Sequence, residues 1–340
     1  MRIIESVWAG DSSRDRIARA LLSPFAVVFR GIVATRSQLY ENGVLKTKAS
    51  SIPVISVCNL TVGGTGKTPF SAWIASKLAQ NGRSPAIVLR GYGGDESLVH
   101  KVLNPAVPVV EAVDRVSGIE IAAHSGADVA ILDDAFQHRR AARDVDIVLM
   151  SADDWTGNHH VLPAGPYREP VSGLRRASVV VVTTKAAVDT RVDEVETFVR
   201  RMAPGVLVAT ARLHLTSVVM YQSPERAFEP PSLRGKSVLA VAAIGNPRAF
   251  FAQLESFGAR VTAREFRDHH VFTRSEILDI AARSAKHDYV ICTLKDAVKL
   301  GPEWPADANP LWYVSLSVNV ENGAAALDEI LSRIDRPRDL

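Results

Sequence analysis

The sequence predicts an α/β fold, with a parallel sheet covered by helices on both faces and a second, smaller α/β domain after it. Short apolar runs alternate with helical patterns along most of the chain, which is the order that parallel sheets require. The runs at 86–89, 129–132 and 179–182 are apolar at every position, as expected of strands buried on both faces. A polar, proline-rich stretch at 223–234 separates the two series of elements.

Composition and charge are those of a globular protein of 340 residues, 47% hydrophobic and 23% charged, which is long enough for two domains. Residues 1–50 carry eight Lys and Arg against four Asp and Glu, so the formal charge of +3 leaves the rest at −1. This nearly neutral body argues against a nucleic-acid partner, because such a protein carries its basic footprint on the folded domain. Cys58 and Cys292 lie in apolar runs and are expected to be buried thiols rather than a disulfide.

The N-terminal region, 1–50, is expected to hold a helix within 12–45. Its apolar stretch at 20–35 is edged by arginines, contains no acid, and is interrupted by Pro24 and Arg30. That stretch is shorter than the roughly 20 residues of a membrane span, so we predict a helix lying in the membrane interface. A core helix packed on the domain is the alternative. The region lacks the basic start and apolar core of a cleavable signal peptide.

A glycine-rich loop follows the apolar run at 54–57. Residues 61–68 read Thr-Val-Gly-Gly-Thr-Gly-Lys-Thr and lead into a helical pattern, in the order strand, loop, helix of a P-loop. Glycines allow backbone N–H groups to face a phosphate, Lys67 can reach the β- and γ-phosphates, and Thr68 can ligate Mg²⁺. The match lacks the first glycine of the motif. The predicted nucleotide-binding residues are Thr61, Val62, Gly63, Gly64, Thr65, Gly66, Lys67 and Thr68.

A second acidic motif ends the apolar strand at 129–132. Asp133 and Asp134 stand at its tip, where a P-loop protein holds Mg²⁺ directly or through water, and we predict them as metal ligands with Thr68. A helix cap is the alternative for either carboxylate. The expected cofactors are therefore ATP and Mg²⁺.

Domain boundaries are placed by these patterns. We predict an interfacial helix region at 1–50, a P-loop domain at 51–205, linker strands at 206–235 and a smaller α/β domain at 236–340.

Seven sequence blocks are distinctive when they are taken together: residues 59–69, 90–92, 133–138, 162–170, 244–247, 268–273 and 295–300. In this order they resemble the tetraacyldisaccharide 4′-kinase (lipid A 4′-kinase) family. The resemblance implies transfer of the ATP γ-phosphoryl group to the 4′-hydroxyl of a lipid-linked glucosamine disaccharide 1-phosphate, giving lipid IVA in lipid A biosynthesis. It also implies a peripheral enzyme held by its N-terminal helix at the cytoplasmic face of the bacterial inner membrane.

The same resemblance implies roles for single residues. Asp95 and His269 are expected to accept the proton of the attacking hydroxyl, and Lys67 to stabilise the transferred charge. A turn cap for Asp95 and a satisfied buried histidine for His269 are the alternatives. His270 is expected to be a structural neighbour, because adjacent residues on a strand point to opposite faces. Candidates for contacts to substrate, nucleotide or metal are Asn59, Arg90, Tyr92, Gln137, His138, Arg168 and Glu169.

The chain departs from the family pattern in four places. Cys58 and Ala135 replace glycines, Leu294 replaces a glutamate, and the segment after Tyr92 is short. The alignment of Asp95 depends on that shortened segment.

Two other functions agree with part of the sequence pattern. A membrane-associated ATPase of the partitioning or metallochaperone kind also uses a Gly-Gly-x-Gly-Lys-Thr loop, but it usually has a lysine where this chain has Val62. A nucleotide-gated membrane scaffold without catalysis would not need Asp95 and His269.

Overall fold

The fold is described from a computed structural model that covers residues 7, 8, 10, 12–91 and 94–335. The chain divides into two compact units. The first comprises Met1–Arg90, Asn104–Leu213 and Val318–Leu340, and the second comprises Gly91–Leu103 and His214–Ser317.

The first unit is a parallel sheet with apolar cores on both faces. Its strands lie in the order β7-β6-β5-β1-β4-β2-β3, with every pair parallel. The strands are β1 (Val54–Asn59), β2 (Pro85–Leu89), β3 (Val109–Glu111), β4 (Val129–Asp133), β5 (Val145–Ser151), β6 (Val179–Thr184) and β7 (Leu207–Met220). The helices are α1 (Ser13–Glu41), α2 (Lys67–Gln80), α4 (Arg115–His124), α5 (Asp189–Met202) and α9 (Ala324–Ser332).

In the second unit the strands β10, β9, β11 and β12 are parallel neighbours, and β8 pairs antiparallel with β7. Its further strands are β8 (Ser223–Phe228), β9 (Ser237–Ala242), β10 (Arg260–Glu265), β11 (Tyr289–Thr293) and β12 (Leu311–Asn322). Its helices are α3 (Asp95–Leu103), α6 (Pro247–Ser256), α7 (Arg274–Ser284) and α8 (Leu294–Leu300).

This architecture confirms the predicted α/β class, but the compact units do not follow the predicted boundaries. The stretch predicted as linker strands contains the whole of β7, a single strand of 14 residues whose two ends belong to different units. The strand β12 is divided in the same way. The helix α3 belongs to the second unit because Val99 packs into the apolar core of that unit. Sequence periodicity marks strands and helices but does not show where a long strand passes from one unit to another.

The helix α1 has two different faces. Ser12 caps it by accepting a hydrogen bond from the N–H of Asp15. Ala26 is buried, and Leu22 and Phe29 pack against the first unit's core. A second face is apolar and exposed at Ile17, Leu21, Phe25, Val28 and Ile32.

The length of α1 corrects one expectation. The stretch at 20–35 is too short to cross a membrane, but the helix around it runs for 29 residues. Among the described residues it is the one helix that could span a membrane, judged by length and composition alone.

Candidate active site

The loop after β1 has the conformation expected of a P-loop. Gly63 and Gly66 have φ angles of 130° and 86°, which favour glycine because a Cβ is strained there. Lys67 is the first residue of α2, so the loop ends on the N-terminus of a helix of 14 residues. Two side chains support the loop. Thr183 of β6 donates from Oγ1 to the Thr65 carbonyl at 2.9 Å. Lys185, which follows β6, donates from Nζ to the Gly64 carbonyl at 3.1 Å. Sequence reasoning missed both supporting residues.

Four of the predicted residues form one hydrogen-bonded group beside the loop. Lys67 Nζ donates to Asn59 Oδ1 at 3.1 Å, and Asn59 stands at the end of β1. The guanidinium of Arg168 donates to Asp134 Oδ2 at 2.9 Å and to Oδ1 at 2.7 Å. The same guanidinium also bonds the carbonyl and side-chain oxygens of Asn59. The group therefore contains two cations, the ammonium of Lys67 and the guanidinium of Arg168, next to the loop.

Arg168 is placed by its backbone as well as by its side chain. Its N–H donates to the Leu60 carbonyl at 2.7 Å, and Thr61 bridges to Tyr167 in antiparallel fashion. The N–H of Val62 donates to the Pro166 carbonyl at 2.8 Å. The proline-framed loop at 162–170 therefore lies alongside the P-loop, so these two sequence blocks are neighbours in the fold.

The electrostatics of this group favour an ionised Asp134. Burial by itself would raise the pKa of this carboxyl, but the charge of Lys67 and the hydrogen bonds from Arg168 outweigh burial and hold the pKa below its ordinary value. Asp134 also has a left-handed backbone, with φ of 57°. The segment that follows β4 is a turn and not a helix, so neither Asp133 nor Asp134 serves as a helix cap.

The residues predicted to hold Mg²⁺ carry the right kind of donor. Asp133 is buried at the tip of β4, Asp134 follows it, and Thr68 lies in the first turn of α2. The strands β1 and β4 are parallel neighbours, with Val57 paired to Asp133. An all-oxygen set of carboxylates and a hydroxyl suits Mg²⁺, which usually keeps several waters and takes few protein ligands.

The other candidates near the acidic pair have structural partners. Glu169 pairs with Arg176, whose guanidinium also lies 4.3 Å from the centre of the Phe136 ring. Burial raises the pKa of Glu169 in spite of this ion pair. The Gln137 carbonyl accepts a hydrogen bond from Arg36 of α1 at 2.9 Å.

The last three candidates are His138, Arg90 and Tyr92. Burial, followed by the charges of Arg115 and Arg36, lowers the pKa of His138. Arg90 is exposed at the end of the first unit's first segment. Tyr92 lies outside the described residues.

The second unit brings Asp95 and His269 together. Asp95 begins α3, its side chain is 3% exposed, and its Oδ2 lies 3.8 Å from Nδ1 of His269. His269 is 55% exposed at its side chain and stands in a turn with φ of 56°. Its N–H is bonded to Asp268 Oδ1 at 3.0 Å. The geometry is that of a buried carboxylate facing an accessible imidazole.

Two lysines complete this cluster, and sequence reasoning gave them no role. Lys299 Nζ lies 3.2 Å from Asp95 Oδ2, and Lys295 Nζ lies 3.7 Å from the same atom and 3.2 Å from His269 Nε2. They are four residues apart on α8, so they share one face of that helix. This spacing is the signal that could have identified them.

His270 has other contacts than the neighbouring His269, as expected, but the reason is different. Its Nε2 lies 3.1 Å from both carboxylate oxygens of Glu276, and its ring stacks on Phe266 with centroids 5.0 Å apart. The prediction assumed that adjacent residues on a strand point to opposite faces. Residues 267–270 form a turn instead, and the positive φ of His269 separates the two rings.

Two departures from the family pattern are explained by packing. Cys58 is fully buried on β1, its Sγ donates to the Ile147 carbonyl at 3.3 Å, and burial raises the pKa of the thiol. Leu294 is buried in the core of the second unit. Both Cys58 and Cys292 are free and buried.

The glycine loop at a helix N-terminus, the lysine on it and the acidic pair at a neighbouring strand tip define a P-loop protein that handles nucleotide phosphates. The profile of the family described as tetraacyldisaccharide-1-P 4′-kinase matches residues 18–102 and 93–335. The chain belongs to this family of kinases, which confirms the family predicted from the seven sequence blocks.

Relatives of known name agree with this assignment. The tetraacyldisaccharide 4′-kinase of Anaeromyxobacter dehalogenans (strain 2CP-C) is 36% identical over 360 residues, covering 97% of this chain and 94% of its own. That of Methylobacillus flagellatus is 33% identical and covers 98% and 96%. The crystal structure of "apo" form LpxK from Aquifex aeolicus in complex with ATP superposes with a TM-score of 0.75 at 29% identity, covering 93% of this chain and 99% of that chain.

Proposed function

We propose that the chain transfers the γ-phosphoryl group of ATP to the 4′-hydroxyl of tetraacyldisaccharide 1-phosphate, which gives lipid IVA in lipid A biosynthesis. The observation that carries this proposal is the P-loop whose Lys67 is joined through Asn59 to the Arg168–Asp134 pair. The names and the extent of similarity of the relatives supply the acceptor.

The first unit binds the nucleotide. The loop amides at 61–66 and the N-terminus of α2 receive the phosphate oxygens, and Lys67 neutralises charge on the β- and γ-phosphates. Thr68 with Asp133 or Asp134 would hold Mg²⁺, which would supply positive charge against the negative charge that develops on the phosphate oxygens. Asn59 keeps the ammonium of Lys67 over the loop, at 3.1 Å from its amide oxygen.

The second unit supplies the proton acceptor. The 4′-hydroxyl gives its proton to His269, and its oxygen forms the new bond to the γ-phosphorus. The bond between that phosphorus and the bridging oxygen breaks, and ADP leaves with the electron pair. The carboxylate of Asp95, 3.8 Å from Nδ1, stabilises the imidazolium that forms.

The helix α1 holds the enzyme on a membrane. Its exposed face carries Leu21 and Phe25, which are 70% and 65% exposed and would lie among acyl chains. Its other face packs on the first unit, and Arg36 bonds the Gln137 carbonyl, so the helix lies along the protein rather than apart from it. We place this surface at the cytoplasmic face of the inner membrane, where ATP is available and buried thiols stay reduced.

The experiment that tests the reaction is product analysis by mass spectrometry. Purified protein with Mg-ATP and tetraacyldisaccharide 1-phosphate should yield the same lipid carrying one more phosphate. ATP hydrolysis that leaves the lipid unchanged would reject the kinase reaction and favour the ATPase alternative.

A further inference from the structure

We propose that Lys295 and Lys299 are positioning residues of the proton acceptor, with Lys299 holding Asp95 and Lys295 orienting His269 so that its Nε2 takes the proton. This inference rests on the proposed function, because it names the atoms by which that site works. All four side chains lie in the second unit, in one cluster on α3, α8 and the turn at 267–270.

The fold fixes the two lysines before any ligand arrives. Thr293 caps α8 by accepting a hydrogen bond from the N–H of Asp296. The opposite face of the helix, with Ala297 and Leu300, is fully buried in the second unit's core. Because that face cannot rotate out of the core, the face with Lys295 and Lys299 is turned toward the start of α3.

Lys299 compensates a buried charge. A side-chain carboxylate that is 3% exposed has little contact with water, and Lys299 Nζ lies 3.2 Å from Asp95 Oδ2, where it pairs with the buried group. The same ammonium donates to the His270 carbonyl at 3.4 Å. One side chain therefore joins the start of α3 to the turn that carries the imidazole, and it sets the distance between the two halves of the proton acceptor.

Lys295 determines which ring nitrogen is basic. An ammonium group can only donate hydrogen bonds, so Nε2 of His269, 3.2 Å from Lys295 Nζ, must be the accepting nitrogen. The ring proton of the neutral imidazole then lies on Nδ1, which faces the carboxylate of Asp95 at 3.8 Å. The lone pair on Nε2 receives the proton of the hydroxyl when that hydroxyl takes the place of Lys295.

The test uses the full-length enzyme and four variants. Lys299→Met should lower kcat by about tenfold or more, a part of the effect usual for general-base catalysis, with the KM for ATP unchanged. Lys299→Arg keeps the charge and should restore most of that loss. Lys286→Met, at an exposed lysine of the same unit, is the matched control and should behave as wild type.

The orientation of His269 is read independently by ¹⁵N NMR of its ring without substrate, with Lys295→Met as the fourth variant. We expect the Nδ1-protonated tautomer in wild type and its loss in Lys295→Met. Equal kcat for Lys299→Met and the control, or a tautomer that does not depend on Lys295, would overturn the inference. The NMR result needs no turnover, so a failure of the proposed reaction stays distinguishable from a failure of this geometry.

Discussion

Arg168 holds both carboxylate oxygens of Asp134, at 2.9 and 2.7 Å, in a bidentate ion pair. The pair joins the proline-framed loop to the tip of β4, and the same guanidinium continues to Asn59 at the end of β1. This ion pair thus connects two segments that are separate in the sequence. The contribution of the ion pair to the stability of the folded protein should depend on pH.

Replacing Arg168 by Gln should lower the melting temperature most at neutral pH. The folded pKa of Asp134 is depressed, so its ionised form stabilises the protein above about pH 4, and this stabilisation is lost as the pH falls through the folded pKa. The difference between wild type and Arg168→Gln should therefore shrink toward acidic pH. The control is Arg175→Gln, since Arg175 bonds the Met202 carbonyl instead of a carboxylate. Calorimetry at several pH values measures this, and a difference independent of pH would contradict it.

Lys67→Met should lower kcat by about a hundredfold or more and weaken ATP binding, because the ammonium is the cation on the phosphate-binding loop. Lys77→Met is the matched control on the same helix. Lys77 pairs with Asp328 at 2.8 Å near the surface, where ion pairs contribute little. Steady-state kinetics and titration calorimetry with ATP separate the two lysines, and similar behaviour of both variants would count against the assigned role.

Asp95→Asn and His269→Ala should each lower kcat by roughly a hundredfold or more while leaving ATP binding nearly unchanged, because they remove the proton acceptor and leave the P-loop intact. The pair should be non-additive, since the carboxylate acts through the imidazole. Near-normal turnover in either variant would remove the proposed proton acceptor. His270→Ala should instead lower stability, because His270 supports Glu276 in the cap of α7.

The membrane surface is tested by charge on the exposed face of α1. Leu21→Asp and Phe25→Asp should shift the protein from the membrane to the soluble fraction with little change in melting temperature. Val271→Asp, at a position of the second unit that is 82% exposed, is the control for a new surface charge. Unchanged partition in the α1 variants would exclude this face as the anchor. Deletion of the whole helix is a weaker test, because Ala26 is buried in the first unit.

Motif chemistry and strand patterns were predictable because each depends on local sequence. The P-loop, the acid-tipped strand and the parallel sheet follow from periodicity and from glycine and lysine positions. The pairing of Asp95 with His269 came only from family resemblance, since 174 positions separate them in the sequence.

The sequence could not show the contacts that depend on tertiary packing. No local pattern indicates that Arg168 bonds Asp134. The spacing of Lys295 and Lys299 indicates a shared helix face, but not that this face meets Asp95. The division of β7 between two units is of the same kind, because a long strand has the same periodicity whichever unit it serves. The core-helix alternative for α1 describes only one of its faces, since that face packs on the core while another is apolar and exposed.

The measurement that bears most directly on the proposed kinase is the dependence of ADP release on the acceptor. Purified enzyme with Mg-ATP should release almost no ADP alone. After addition of tetraacyldisaccharide 1-phosphate it should release one ADP for each phosphorylated lipid, and the same assay with Asp95→Asn should show little of either product. ADP release that is equally fast without the lipid, or without formation of the phosphorylated product, would contradict the account.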